Sequence, residues 1–80
     1  MPVDSVAWIS WKDADGVSRK VRGRCLDVSR GGMRLQAPVS VPAGALITIG
    51  VPSKEWETSA EVRHCAPAGR MFQLGAKFVA

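Results

Sequence analysis

At 80 residues the chain has room for one domain with a small core, and too little for a catalytic domain beside a substrate domain. Its 46% hydrophobic content is that of a globular chain and argues against disorder. A net charge of +4, with a sequence pI near 9.7, favours an anionic partner but is modest enough to serve solubility alone.

Residues 1–80 therefore read as a single domain, which could equally be a piece of a longer protein. There is no run of about 18 apolar residues, so no membrane insertion is expected. Met1-Pro2-Val3-Asp4 is not a charged segment leading into an apolar stretch, so no signal peptide is expected and a cytoplasmic location follows. Cys25 and Cys65, far apart in sequence, read as free thiols rather than a disulfide scaffold. His64 and Cys65 are adjacent and would face opposite ways on a strand, so with Cys25 they make no metal site by spacing.

Val3 to Trp11 is rich in Val, Ile and Trp and suits a first strand. Trp8 and Trp11 have opposite parity, so both cannot point inward; one lies near the surface, either packed under a loop as a lid or exposed, and an exposed tryptophan would make an anchor for a partner protein. Lys12 to Gly16 is a turn, with Asp-Gly as its hairpin signal. A long second strand follows to Val28, with Val17, Val21 and Cys25 on one face and Lys20, Arg22 and Arg24 on the other. Leu26 and Val28 fall on the basic face, and that slip in alternation predicts a bulge or a strand end buried on both sides.

The slip leads into the stretch Asp27-Val28-Ser29-Arg30-Gly31-Gly32, a polar loop flanked by Arg22, Arg24, Arg30 and Arg34. Asp27 and Ser29 have short side chains that can bond nearby backbone and close a turn. Gly31 and Gly32 permit positive φ and let a partner approach bare backbone. A small, flat, polyanionic ligand would suit such a loop, although an ordinary hairpin connection has the same composition.

Met33 and Leu35 alternate with Arg34 and Gln36 in a third strand. Ala37 to Gly44 is a connection, because its two prolines cannot sit in a central strand. Ala45, Ile47, Ile49 and Val51 form the inward set of a fourth strand, and Pro52-Ser53-Lys54 turns the chain. The fifth strand puts Trp56, Thr58, Ala60, Val62 and His64 on one face and Glu57, Ser59, Glu61, Arg63 and Cys65 on the other. Ala66 to Arg70 is a turn, and the sixth strand points Phe72, Leu74, Ala76 and Phe78 inward. No window holds helical spacing without a Pro or Gly break. The chain is thus expected to be all-β, a six-stranded antiparallel β-barrel or curled sheet whose closure hides its edges.

These residues resemble the PilZ domain family. Asp27-Val28-Ser29-Arg30-Gly31-Gly32 matches its Asp/Asn-x-Ser-x-x-Gly motif. The Pro42-Ala43-Gly44-Ala45 turn into Leu46-Ile47-Thr48-Ile49, the Ala60-Glu61-Val62-Arg63 strand and the closing Leu74-Gly75-Ala76-Lys77-Phe78 fit the same pattern over nearly the whole chain. The resemblance implies a split-barrel-type bacterial module of second-messenger signalling, with cyclic di-GMP as ligand and no bound cofactor. Asp27 and Ser29 would contact a guanine, Gly32 would keep the loop tight, and arginines would meet the phosphates and stack on the bases. Arg30 and Arg63 are the neighbouring candidates, Arg63 because its outward face can abut the loop. PilZ receptors also carry an Arg-x-x-x-Arg motif ahead of the first strand, and here no arginine precedes Arg19. Either a preceding segment has been trimmed away or the motif never existed. Two missing charge-assisted contacts, each about 1.5–3 kcal/mol, predict weak binding or none. The alternative is a PilZ adaptor that binds another protein, or a neighbouring domain of the same chain, without ligand.

Other functions fit less well. The chain offers one histidine and no nucleophile–base pair, and Asp13, Asp15, Glu55, Glu57 and Glu61 fall in turns or on polar strand faces, so it is not read as an enzyme. His64 reads as a partly buried histidine. Arg19, Lys20, Arg22 and Arg24 make a basic stripe, but the aromatics do not interleave with it and mostly read as core, so DNA is not expected as a partner.

Overall fold

The period-two pattern resolves into six antiparallel strands in a computed structural model that describes residues 2–79, with side chains from Asp4 onward. They are β1 (Pro2–Lys12), β2 (Ser18–Val28), β3 (Gly32–Ala37), β4 (Leu46–Val51), β5 (Trp56–Ala68) and β6 (Met71–Phe78), with one 3₁₀ turn at Pro52–Lys54. They close into a barrel in the order β1-β2-β3-β6-β5-β4. Closure is made by β1 against β4, where Trp8 to Trp11 pair with Gly50 to Ile47. No helix among the described residues is long and apolar enough to cross a membrane.

Alternation places Ile9, Leu35, Ile47, Ile49, Val62 and Leu74 inside, each essentially inaccessible to water. Cys25 joins them, and burial pushes its thiol pKa up. The β1–β2 hairpin is held by Asp13, whose Oδ1 accepts the Asp15 and Val17 N–H groups at 3.1 Å each. Gly16 supplies the positive φ of +78° that this turn needs.

Trp11 is buried at 7% exposure and Trp8 is open at 39%, as their opposite parity requires. The other aromatics are less buried than expected. Trp56 is 36% exposed, packing edge-on against Phe78, while Phe72 and Phe78 are only half-buried. They lie near strand ends, where the core gives out. Val17, expected to face inward, precedes β2 and is exposed.

Three register shifts depart from simple alternation among the described residues, one of them between Pro2 and Ser5 where β1 pairs with β2. In β2 the register shifts between Cys25 and Asp27, at the slip visible in the sequence. In β5 it shifts between Val62 and His64, where nothing in the sequence marks it. Arg63 is the extra residue. His64 is therefore exposed instead of partly buried, and Cys65 turns inward against the core instead of outward. β5 also runs on to Ala68 through Pro67, beyond its pairing with β4, where a proline costs no ladder bond on the open side.

Candidate functional site

The β2 and β5 bulges aim side chains at one patch of outer barrel wall. After the β2 bulge Asp27 stands opposite Arg34, Arg34 opposite Gly75, and Gly75 opposite His64. This row crosses four strands. In the row beside it, Gly32 stands opposite Lys77 and Lys77 opposite Glu61. Both rows contain a glycine at the middle strands, so the wall is low there and a depression of about 340 Å³ forms. Asp27, Ser29, Gly32, Arg34, Arg63, His64 and Lys77 are among the residues lining it.

The glycines have distinct causes. A Cβ on Gly32 would stand 2.2 Å from the Ala76 carbonyl oxygen, so only glycine lets β3 reach β6 here. A Cβ on Gly75 would stand 2.1 Å from Cε1 of His64, whose imidazole lies over that residue. Neither Gly31 nor Gly32 uses the positive φ that glycine permits. Gly32 serves close approach instead.

The loop closes on itself. The Ser29 N–H donates to the Gly32 carbonyl at 2.8 Å, and the Ser29 hydroxyl donates to the same oxygen at 3.2 Å. The Phe78 N–H donates to the Gly31 carbonyl at 2.9 Å and ties the loop to the end of β6. Arg34 Nη2 donates to Asp27 Oδ2 at 3.2 Å, and Arg63 Nη1 to Glu61 Oε1 at 3.1 Å. Both pairs are solvent-exposed and screened by water and salt, so a charged ligand can compete for either.

Chemically, the depression combines a carboxylate at one rim with the cations of Arg34, Arg63 and Lys77 around a floor in which the His64 imidazole lies over Gly75. It can accept the donor edge of a planar ring at Asp27 and neutralise anionic groups beside it. Among the described residues no group of three His, Cys, Asp or Glu side chains is arranged to hold a metal ion.

Of the residues expected from sequence, Asp27, Ser29, Gly32 and Arg63 line this one depression. Arg30 does not; it sits exposed in the loop outside the lining. Arg34, His64 and Lys77 were not placed in the site from sequence. Arg34 and Lys77 carried a signal in their outward parity, but only the strand register brings them beside Asp27.

A family model for the PilZ domain matches residues 3–80. The chain belongs to the PilZ domain family. PilZ domains are binding and regulatory modules, in general receptors for cyclic di-GMP or adaptors. The motif loop of this PilZ domain is the one that rims the depression. No curated protein matches the chain.

Proposed function

We propose that this PilZ domain is a cyclic di-GMP receptor module whose ligand sits in the depression between Asp27 and His64. The observation that carries the reading is the row Asp27–Arg34–Gly75–His64, which puts a carboxylate, a guanidinium and an imidazole lying over a glycine on one face. Asp27 would accept the N1–H and N2 amine of a guanine, Gly32 would keep the loop close to β6, and the exposed His64 imidazole would stack on or swing aside for the ring. Ser29 would hold the loop in shape and offer its oxygen. Arg34, Arg63 and Lys77 would face the phosphates. β1 starts with Pro2 paired opposite Asp27, so an arginine-bearing leading segment would enter beside this site. Without such arginines we expect weak affinity.

The test is calorimetric titration of the 80-residue chain with cyclic di-GMP at moderate salt. Micromolar binding, about −8 kcal/mol, that disappears in Asp27→Ala supports the receptor reading. No heat at about 1 mM ligand, where even a −4 kcal/mol interaction would show, sinks it for this chain.

A further inference from the structure

The seam where β1 meets β4 lies on the side of the barrel away from β3 and β6. There Trp8 stands opposite Gly50, and Gly50 opposite Glu57. The glycine again leaves the wall low, and a groove of about 350 Å³ opens between Trp8 and Trp56 with Pro52 at one end. Monomeric proteins seldom expose two tryptophans on one small patch without a use for them.

The groove is net acidic: Glu55 and Glu57 line it against the single cation of Lys20, and neither carboxylate makes a hydrogen bond or ion pair with another described residue. Glu55 is held in place by the 3₁₀ turn, with its N–H donating to the Pro52 carbonyl at 3.1 Å and its backbone at φ 49°. This is a local acidic rim on a molecule of net charge +4. An anionic ligand is disfavoured there, and a cationic one is complementary. Trp8 already accepts a cation, because the Lys20 ammonium lies 5.4 Å from its ring centroid.

We propose that this groove docks a basic peptide segment of a partner protein. The segment would carry an arginine or lysine flanked by apolar residues. The apolar residues would lie across Trp8 and Trp56, and the cation would meet Glu55 and Glu57. Tryptophan and arginine are among the residue types enriched at the positions that dominate interface energies. The inference goes beyond the nucleotide reading and holds whether or not the depression on the other wall is occupied.

The test is selection of a random dodecapeptide display library on the immobilised chain, followed by titration of an enriched synthetic peptide into ¹⁵N-labelled protein. Trp8→Ala and the double variant Glu55→Gln/Glu57→Gln serve as comparisons, each checked for folding by circular dichroism; all three side chains are exposed. Expected are enriched sequences with Arg or Lys beside apolar residues and shifts of the Trp8 and Trp56 indole signals. Affinity should fall roughly tenfold or more in either folded variant, a change of about 1.4 kcal/mol. No enrichment, acidic sequences, or affinity unchanged in both variants would overturn the proposal. So would a concentration-dependent dimer in sedimentation that Trp8→Ala abolishes, which would make the occupant a second copy of this chain.

Discussion

Gly32 and Gly75 lie on neighbouring strands at the floor of one depression, yet a methyl group is expected to act differently at each. At Gly32 it would meet the Ala76 carbonyl, a backbone atom that moves only if β3 and β6 part. Gly32→Ala should destabilise the barrel by about 1–3 kcal/mol, the usual cost of forcing extra atoms into a packed site. At Gly75 the obstacle is the His64 imidazole, an exposed side chain free to swing away. Gly75→Ala should cost less than about 1 kcal/mol while displacing the ring from the floor. Urea titrations of both variants check this, and equal losses would contradict it. The sequence singled out Gly32 as keeping the loop tight, without saying against what. The motif shows that a glycine is wanted, while the need for close approach appears only once β6 is seen to pass beside it. His64 was misplaced because Val62-Arg63-His64-Cys65 shows no break in pattern. The β5 bulge places the extra Arg63 between Val62 and another polar residue, His64, and leaves the apolar alternation up to Val62 intact, whereas the β2 bulge displaces Leu26 and Val28 and can be read directly.

The β1–β2 hairpin was legible at the scale of the element, because a Asp-Gly turn between two apolar-alternating runs has few alternative structures. Its energetics depend on Asp13. The carboxylate accepts two turn N–H groups and pairs with Arg19 Nε at 2.7 Å. Chiefly through the hydrogen bond from Arg19, and despite some desolvation, its pKa lies below the ordinary carboxylate value. A depressed folded-state pKa means that the charged form is favoured by folding. The stabilisation is therefore complete above the unfolded value, about 3.9, and is lost as the pH falls through the lower folded value. Asp13→Asn removes the charge and with it this dependence. The difference in urea midpoint between parent and variant should be constant from about pH 7 to pH 5 and shrink below about pH 4. A difference that grows on acidification would show that the ion pair does not hold the hairpin.

Closure is a property of the whole molecule, and its central contact is Ile9 against Ile49, register partners across the β1–β4 seam and both inaccessible to solvent. At roughly 0.05–0.15 kcal/mol per residue, a domain of this size has about 4–12 kcal/mol in hand. Ile49→Ala removes about 2–5 kcal/mol by the loss of buried methyl groups and the cavity left behind, a large share of that total. Ile49→Val, at about 0.5–1.5 kcal/mol, should leave a folded barrel. The two free thiols report on this directly. Cys65 is partly accessible and should react with a disulfide reagent readily, while Cys25 is sealed inside and its thiolate is disfavoured by burial. When opening and reclosing are fast relative to modification, Cys25 reacts in proportion to the population of open barrel. Ile49→Ala should therefore accelerate Cys25 by about 30-fold or more, as a loss of at least 2 kcal/mol implies, and leave Cys65 nearly unchanged. Parent protein in which Cys25 reacts as fast as Cys65 would mean that the seam does not stay shut. Both wall sites depend on that seam, since the groove lies across it and the depression requires β5 and β6 to be held in register with β2 and β3.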